Sequence, residues 1–200
     1  YPRDEALSRY ERAKAAAAVA GSAPNVSLLG EPGVLLWRFP HDRKLPTLPL
    51  LADTDALRNR RLPELVQARW GDDWRIESVR PELVSYFPHH SATLRARLQV
   101  RNPVDASVQP WCVYGKVRHD DAGERVFDAM RRLYASDACR NGSVGFARPL
   151  AVGAAERLLW QEGIEAPTLD QCLQAGPIDP ATWAAVARAV AALHDTPLGL

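Results

Sequence analysis

The chain has 200 residues, 46% hydrophobic and 24% charged, and 25 Lys plus Arg against 24 Asp plus Glu leave a net charge of +1. That is an ordinary globular composition, long enough to bury a core without covalent staples. Scattered basic residues argue against a dedicated nucleic-acid surface, and Cys112, Cys139 and Cys172, at wide irregular spacing, give neither a disulfide framework nor a CxxC zinc site.

The N-terminal stretch carries charges throughout, and no run approaches the roughly 20 apolar residues of a membrane span. A soluble, cytoplasmic chain with no membrane or nucleic-acid partner is expected. Residues 4–20 read as a helix with Leu7, Tyr10, Lys14 and Ala17 or Ala18 on one thin apolar side, ended by "GSAPN". "VSLLGEPGVLLWRF", residues 26–39, is two apolar runs around Gly-Glu-Pro-Gly, a hairpin signal. "PHDRKLPTLPLL" holds three prolines and predicts an extended, surface-hugging connection. Residues 54–60 and 63–70 predict one broken helix or two short ones, interrupted at Pro63.

From Trp74 strands are expected: "RIESV", "ELVSYF", then a loop "PHHSAT", then "LRARLQV", whose alternation of Leu94, Ala96, Leu98 and Val100 with Arg95, Arg97 and Gln99 predicts a half-buried antiparallel strand. "RNPVDASVQP" reads as a loop and "WCVYGKVR" as the next strand. A helix is expected over 121–136, with Val126, Phe127, Met130, Leu133 and Tyr134 as its apolar stripe. "FARPLAVG" and "ERLLWQEGI" read as strands and "TLDQCLQAG" as a short helix. The last helix is capped by Asp179 with Pro180 at its first position, and Trp183, Val186, Ala187, Val190, Leu193 and His194 are expected to line its buried face. Segregated strands and helices predict an α+β fold. Trp70, Trp74, Trp111, Trp160 and Trp183 read as packing residues.

One residue is out of character. Only three of the basic residues are lysines, Lys14, Lys44 and Lys116, and Lys116 stands inside the apolar strand "WCVYGKV". Period-2 geometry puts Cys112, Tyr114 and Lys116 on one face. Such a lysine needs a partner or a path to water. The helix that follows carries Glu124 in its first turn, and a strand lysine followed by a helix carboxylate is the layout that holds nucleotide phosphates in kinases. The plain alternatives are a lysine snorkelling to water and a "DAGE" capping box with Asp121 as N-cap. His89 and His90 read as a solvated turn rather than metal ligands.

"SYFPHHSATLRARLQV", "WCVYGKV", a helix starting at "GE", "FARPL", "LLWQEG" and "VARAVAALHDTP" follow in this order. In that order the sequence resembles the aminoglycoside phosphotransferase-like kinases, relatives of choline kinases and, distantly, of protein kinases, over about residues 74–200. The resemblance implies a kinase-like small lobe of antiparallel sheet and one packed helix over 74–165, the start of a helical lobe over 166–200, and an N-terminal α/β extension over 1–73. It implies a phosphate-covering turn at 88–93 with His90 and Ser91, and contact of Lys116 with the nucleotide's α/β-phosphates. Glu124 would orient Lys116, with Asp128 as the fallback. Gln161, Glu162, Gly163 and Ile164 would form the hinge against the adenine.

The implied ligand is ATP or GTP with Mg, and the implied acceptor a small-molecule hydroxyl. The covering turn holds no glycine. The family's "HGDxxxxN" loop and its later Asp motif do not occur in these residues, so they contribute no catalytic residue and no metal ligand. The expectation is the nucleotide-binding portion of a longer kinase, with a non-catalytic kinase-like binding or regulatory module as the alternative. Trp183, Val186 and Val190 are expected to lack part of their cover, favouring self-association or a missing C-terminal lobe.

Overall fold

The computed structural model describes residues 2–19, 25–30 and 33–197. Helix α1 (Arg3–Val19) begins with Asp4 and Glu5, whose charges suit a helix N-terminus. It lies on a hairpin of β1 (Val26–Leu29) and β2 (Val34–Trp37). The contact runs through Ala6, fully buried, while Leu7, expected inward, is 48% exposed. Gly33 at φ +80° permits this close approach, since a Cβ there would lie 3.4 Å from Arg3 Cα. The expected breaker at 21–24, the hairpin tip at 31–32 and the end of the chain at 198–200 lie outside the described residues.

The proline-rich connection departs from expectation. It closes a bridge between Asp42 and Leu45 and then enters α2 (Leu48–Ala52), with Pro49 in the first turn, where a missing N–H costs nothing. Leu45, Leu48 and Leu51 are buried, so this segment is core rather than surface. The next helix is likewise not broken. α3 (Thr54–Ala56), capped by the Asp53 side chain, continues through a π-turn at Leu57–Arg61 into α4 (Leu62–Trp70). The wider turn takes up the strain that Pro63 brings to the preceding carbonyls.

Five antiparallel strands form the main sheet: β3 (Arg75–Phe87), β4 (Ser91–Arg101), β5 (Val108–Arg118), β6 (Pro149–Gly153) and β7 (Leu158–Glu162), in the order β3-β4-β5-β7-β6. "RIESV" and "ELVSYF" are one strand, because Pro81 sits on the edge strand, where no ladder donor is required. The loop expected over 88–93 shrinks to a turn at 88–90, and Ser91 to Thr93 already belong to β4. β5 likewise begins earlier than expected, at Val108, inside "RNPVDASVQP".

The chain crosses from β5 to β6 through α5 (Gly123–Tyr134) and α6 (Asp137–Arg140). No side chain caps α5: its N-cap is Ala122, and Asp121 pairs with Arg157 at 2.8 Å. α7 (Leu169–Ala175) opens on a capping box of Thr168 and Gln171, and α8 (Pro180–His194) on Asp179, as the sequence indicates. Neither helix buries a residue, and Trp183 and Val190 are 47% and 46% exposed. The protein is a mixed α+β fold, and no described helix is long and apolar enough to cross a membrane.

The core lies on one side of the sheet. Ala92, Leu94, Ala96, Leu98 and Val100 of β4, Trp111, Val113 and Val117 of β5, and Leu158 and Trp160 of β7 meet Leu45, Leu48, Leu51, Leu57, Leu62, Leu65 and Val66. Residues 42–69 also clasp the sheet's margins. Thr47 Oγ1 donates to the Glu156 carbonyl at 2.7 Å, Arg61 pairs with the Glu156 carboxylate, and Arg69 pairs with Glu162 at 2.7 Å.

Candidate functional site

The opposite face of the sheet carries Lys116. Its cross-strand neighbours are Thr93 on β4 and Leu159 on β7. Leu159 is buried and pairs with Val152 of β6, and a Cβ at Gly123 of α5 would lie 3.7 Å from Val152 Cγ2. So α5 covers this face over β6 and β7, and the β4–β5 half stays open. Lys116 stands at the boundary, exposed, with no hydrogen bond or ion pair among the described residues.

Neither Glu124 nor Asp128 pairs with Lys116 among the described residues. Glu124 is exposed and borders a cavity of 120 Å³ at the start of α5, with Asp120, Asp121 and Arg157. The Arg118 guanidinium, hydrogen-bonded through two nitrogens, holds the Asp120 carboxyl far below its usual range.

The glycine beside the lysine serves the core. Gly115 faces Trp160, and a Cβ there would come within 2.7 Å of the indole ring. Tyr114, by contrast, shares the open face with Lys116, half-buried and paired across the strand with Arg95. Arg95 and Arg97 both reach Glu82, and the Arg95 hydrogen bond is the main reason the exposed Glu82 carboxyl sits low.

The β3–β4 turn is fixed from beneath by a residue that no sequence signal marked. Asp42 is buried, 6% exposed, and accepts from the His89 backbone N–H (2.7 Å), the Lys44 N–H (2.8 Å) and the Tyr86 hydroxyl (2.9 Å). Its Oδ1 lies 3.0 Å from His89 Nδ1. Burial works against the charged carboxylate, yet these hydrogen bonds together outweigh it and hold Asp42 below its ordinary value. Burial first, then Asp42, pushes the Tyr86 hydroxyl up to about 12.

His89, with φ +61°, is thus held rather than merely solvated. His90 is exposed; its ring lies 4.9 Å from that of His119, whose N–H donates to the His90 carbonyl at 3.0 Å. Ser91 is 7% exposed and sits in the strand.

The four hinge positions divide by chemistry. Gln161 is half-buried opposite Tyr114. Glu162 turns to the core side, where its Oε1 accepts from Trp111 Nε1 at 3.1 Å and from Arg69 at 2.7 Å. The N–H groups of Glu162 and Gly163 are engaged by the carbonyls of Arg148 and Cys112, each at 2.8 Å. Gly163 lies against Cys112, a buried filler whose thiol is pushed up by that burial. Ile164 is exposed, and no described group accepts from its N–H. One unpaired ammonium and a half-buried aromatic ring therefore share the open face, and one open backbone donor lies just past the end of β7. No family model matches the chain, and no curated protein or solved structure matches it either.

Proposed function

We propose that this chain is the nucleotide-binding portion of a small-molecule kinase, taking ATP or GTP with its magnesium on the open face of the sheet. The observation that carries the reading is Lys116: an unpaired lysine on the third strand of a five-stranded antiparallel sheet, on the face that the following helix partly covers. Kinases carry their phosphate-contacting lysine on the third strand and its carboxylate partner on the next helix. In this reading Lys116 meets the α/β-phosphates, Tyr114 offers a ring face to the base, and the Ile164 N–H supplies the hinge hydrogen bond. His90 and Ser91 flank the covering turn. Glu162 acts by holding the exit strand to α4 and not by touching ligand.

Magnesium would enter with its nucleotide, bound to the phosphates that Lys116 meets. No His-Gly-Asp occurs in the 200 residues, so nucleotide binding and not turnover is expected of them. The acceptor, a small-molecule hydroxyl, follows only from the family reading. The missing carboxylate partner of Lys116 favours a second reading, a kinase-like module that binds or regulates without catalysis. In kinases the lysine–glutamate pair must be in place for transfer.

Calorimetry with Mg-ATP on the chain and on Lys116→Ala tests binding. Saturable binding that weakens by about tenfold or more in the variant supports the reading, since a charge-assisted phosphate contact is worth about 1.5–3 kcal/mol. No binding by the folded parent counts against it. Nucleotide binding that brings α5 toward the sheet, seen as slowed amide exchange in residues 123–128, favours the kinase reading over the silent module.

A further inference from the structure

One cavity is lined by no residue of β4, β5 or β7. It measures 460 Å³ and opens between α1, β2 and the 41–44 turn, beside the β3–β4 turn. Arg9 and Arg12 reach it from α1, Arg43 from the turn and His89 from beside β3, while Leu35 and Trp37 of β2 supply an apolar wall. That volume falls in the range of small-molecule sites, roughly 300–1,000 Å³.

The charge is not balanced inside the protein. Glu5 pairs with Arg9 at 2.6 Å, and Asp42 takes the His89 ring. Arg12 makes only a 3.3 Å contact to the Ser8 carbonyl, and no carboxylate pairs with Arg12 or Arg43 among the described residues. Arginines from two separate elements thus line one concavity, and neither Arg12 nor Arg43 has a paired carboxylate among the described residues. Like charges held together repel unless an anion joins them. Arginine's planar fork matches phosphate oxygens through two parallel hydrogen bonds. Leu35 and Trp37 alternate inward along β2, half-buried, and leave room for a flat or aliphatic body beside the cations.

We propose that this cleft binds a small organic phosphate with an apolar or aromatic body, its phosphate held by Arg12 and Arg43 and its body lying against Trp37. The site is separate from the face proposed for nucleotide, and it adjoins the β3–β4 turn through His89. A ligand seated there contacts the same histidine that Asp42 fixes from below, so occupancy stiffens that turn.

The test uses phenyl phosphate, inorganic phosphate and phenol as probes on the full chain, followed by calorimetry and tryptophan fluorescence. Phenyl phosphate is expected to bind saturably and at least about tenfold more tightly than inorganic phosphate, as charge and apolar contact add. Phenol shows no saturable binding. Arg43→Gln and Arg12→Gln each weaken phenyl phosphate by about tenfold, and added salt weakens it further. Trp37→Phe removes the fluorescence change, and Lys116→Ala leaves the affinity unaltered. Absence of saturable phenyl phosphate binding by the folded parent overturns the proposal. So does binding that Lys116→Ala abolishes and the arginine variants leave intact, which would move the probe to the sheet face. Because the nucleotide reading is tested through Lys116 and this one through Arg12 and Arg43, either can fail alone.

Discussion

Arg69 of α4 donates to Glu162 at the end of β7 across 2.7 Å, and the same guanidinium lies over the Trp70 and Trp111 rings, 4.8 and 5.4 Å from their centroids. Trp111 completes the set by donating its Nε1–H to Glu162 at 3.1 Å. Removing the carboxylate strands two donors at once. Glu162→Ala is expected to lower stability by about 1–3 kcal/mol in denaturant titrations. Arg69→Ala costs less, and the double variant costs less than the sum of the two, because the residues share one network.

The Asp42 cluster makes stability depend on pH at both ends. Its carboxyl sits below its ordinary 3.8, so the stabilisation is complete above that value and is lost as pH falls through the lower folded value. Tyr86 is raised from 10.0 to about 12, so its contribution is complete below pH 10 and is lost as pH rises toward 12. Denaturant midpoints for the parent and for Asp42→Asn should begin to approach each other as pH falls below about 4, and Tyr86→Phe should remove the alkaline loss. At neutral pH, Asp42→Asn should cost about 1–3 kcal/mol.

Two glycines are required by their neighbours. A Cβ at Gly115 meets the Trp160 ring at 2.7 Å, and one at Gly163 meets Cys112 Sγ at 2.6 Å. Gly115→Ala and Gly163→Ala should each cost about 1–3 kcal/mol by overpacking. The former should also change the near-ultraviolet circular dichroism through Trp160.

Lys116 should be dispensable for folding. It is exposed and unpaired, so Lys116→Ala is expected to shift stability by no more than about 0.5 kcal/mol. A loss of nucleotide affinity in this variant is then a loss of contact and not of structure.

Helices α2 to α4 flank one side of the sheet and share its core. Leu48→Ala or Leu57→Ala should cost about 2–5 kcal/mol, as both side chains are fully buried. Unfolding followed by Trp70 and by Trp160 should coincide in one transition.

What is legible in the sequence is what local chemistry decides. Asp179 with Pro180 announces α8 within a few residues, "TLDQCLQAG" reads as the short helix α7, and alternation in "LRARLQV" announces β4 and its buried face. Burial of Leu45, Leu48 and Leu51 is not legible, because its cause is a sheet whose strands come much later in the chain. The same distance hides Asp42, whose partners His89 and Tyr86 lie 47 and 44 residues away. The face on which Lys116 stands follows from its strand period. Its lack of a carboxylate partner does not, because where Glu124 points depends on how α5 settles on Val152 and Leu159.

The chain order of the two core layers has a consequence for synthesis. The leucines of α2 to α4 leave the ribosome first, and the strand that closes their packing, β7, ends at Glu162. About 90 residues separate the two, which is roughly 5–20 s of translation at common elongation speeds. Through that interval Leu48, Leu51, Leu57, Leu62 and Val66 are present without their final cover. The nascent chain is therefore most exposed to aggregation and to chaperone capture before β7 is made.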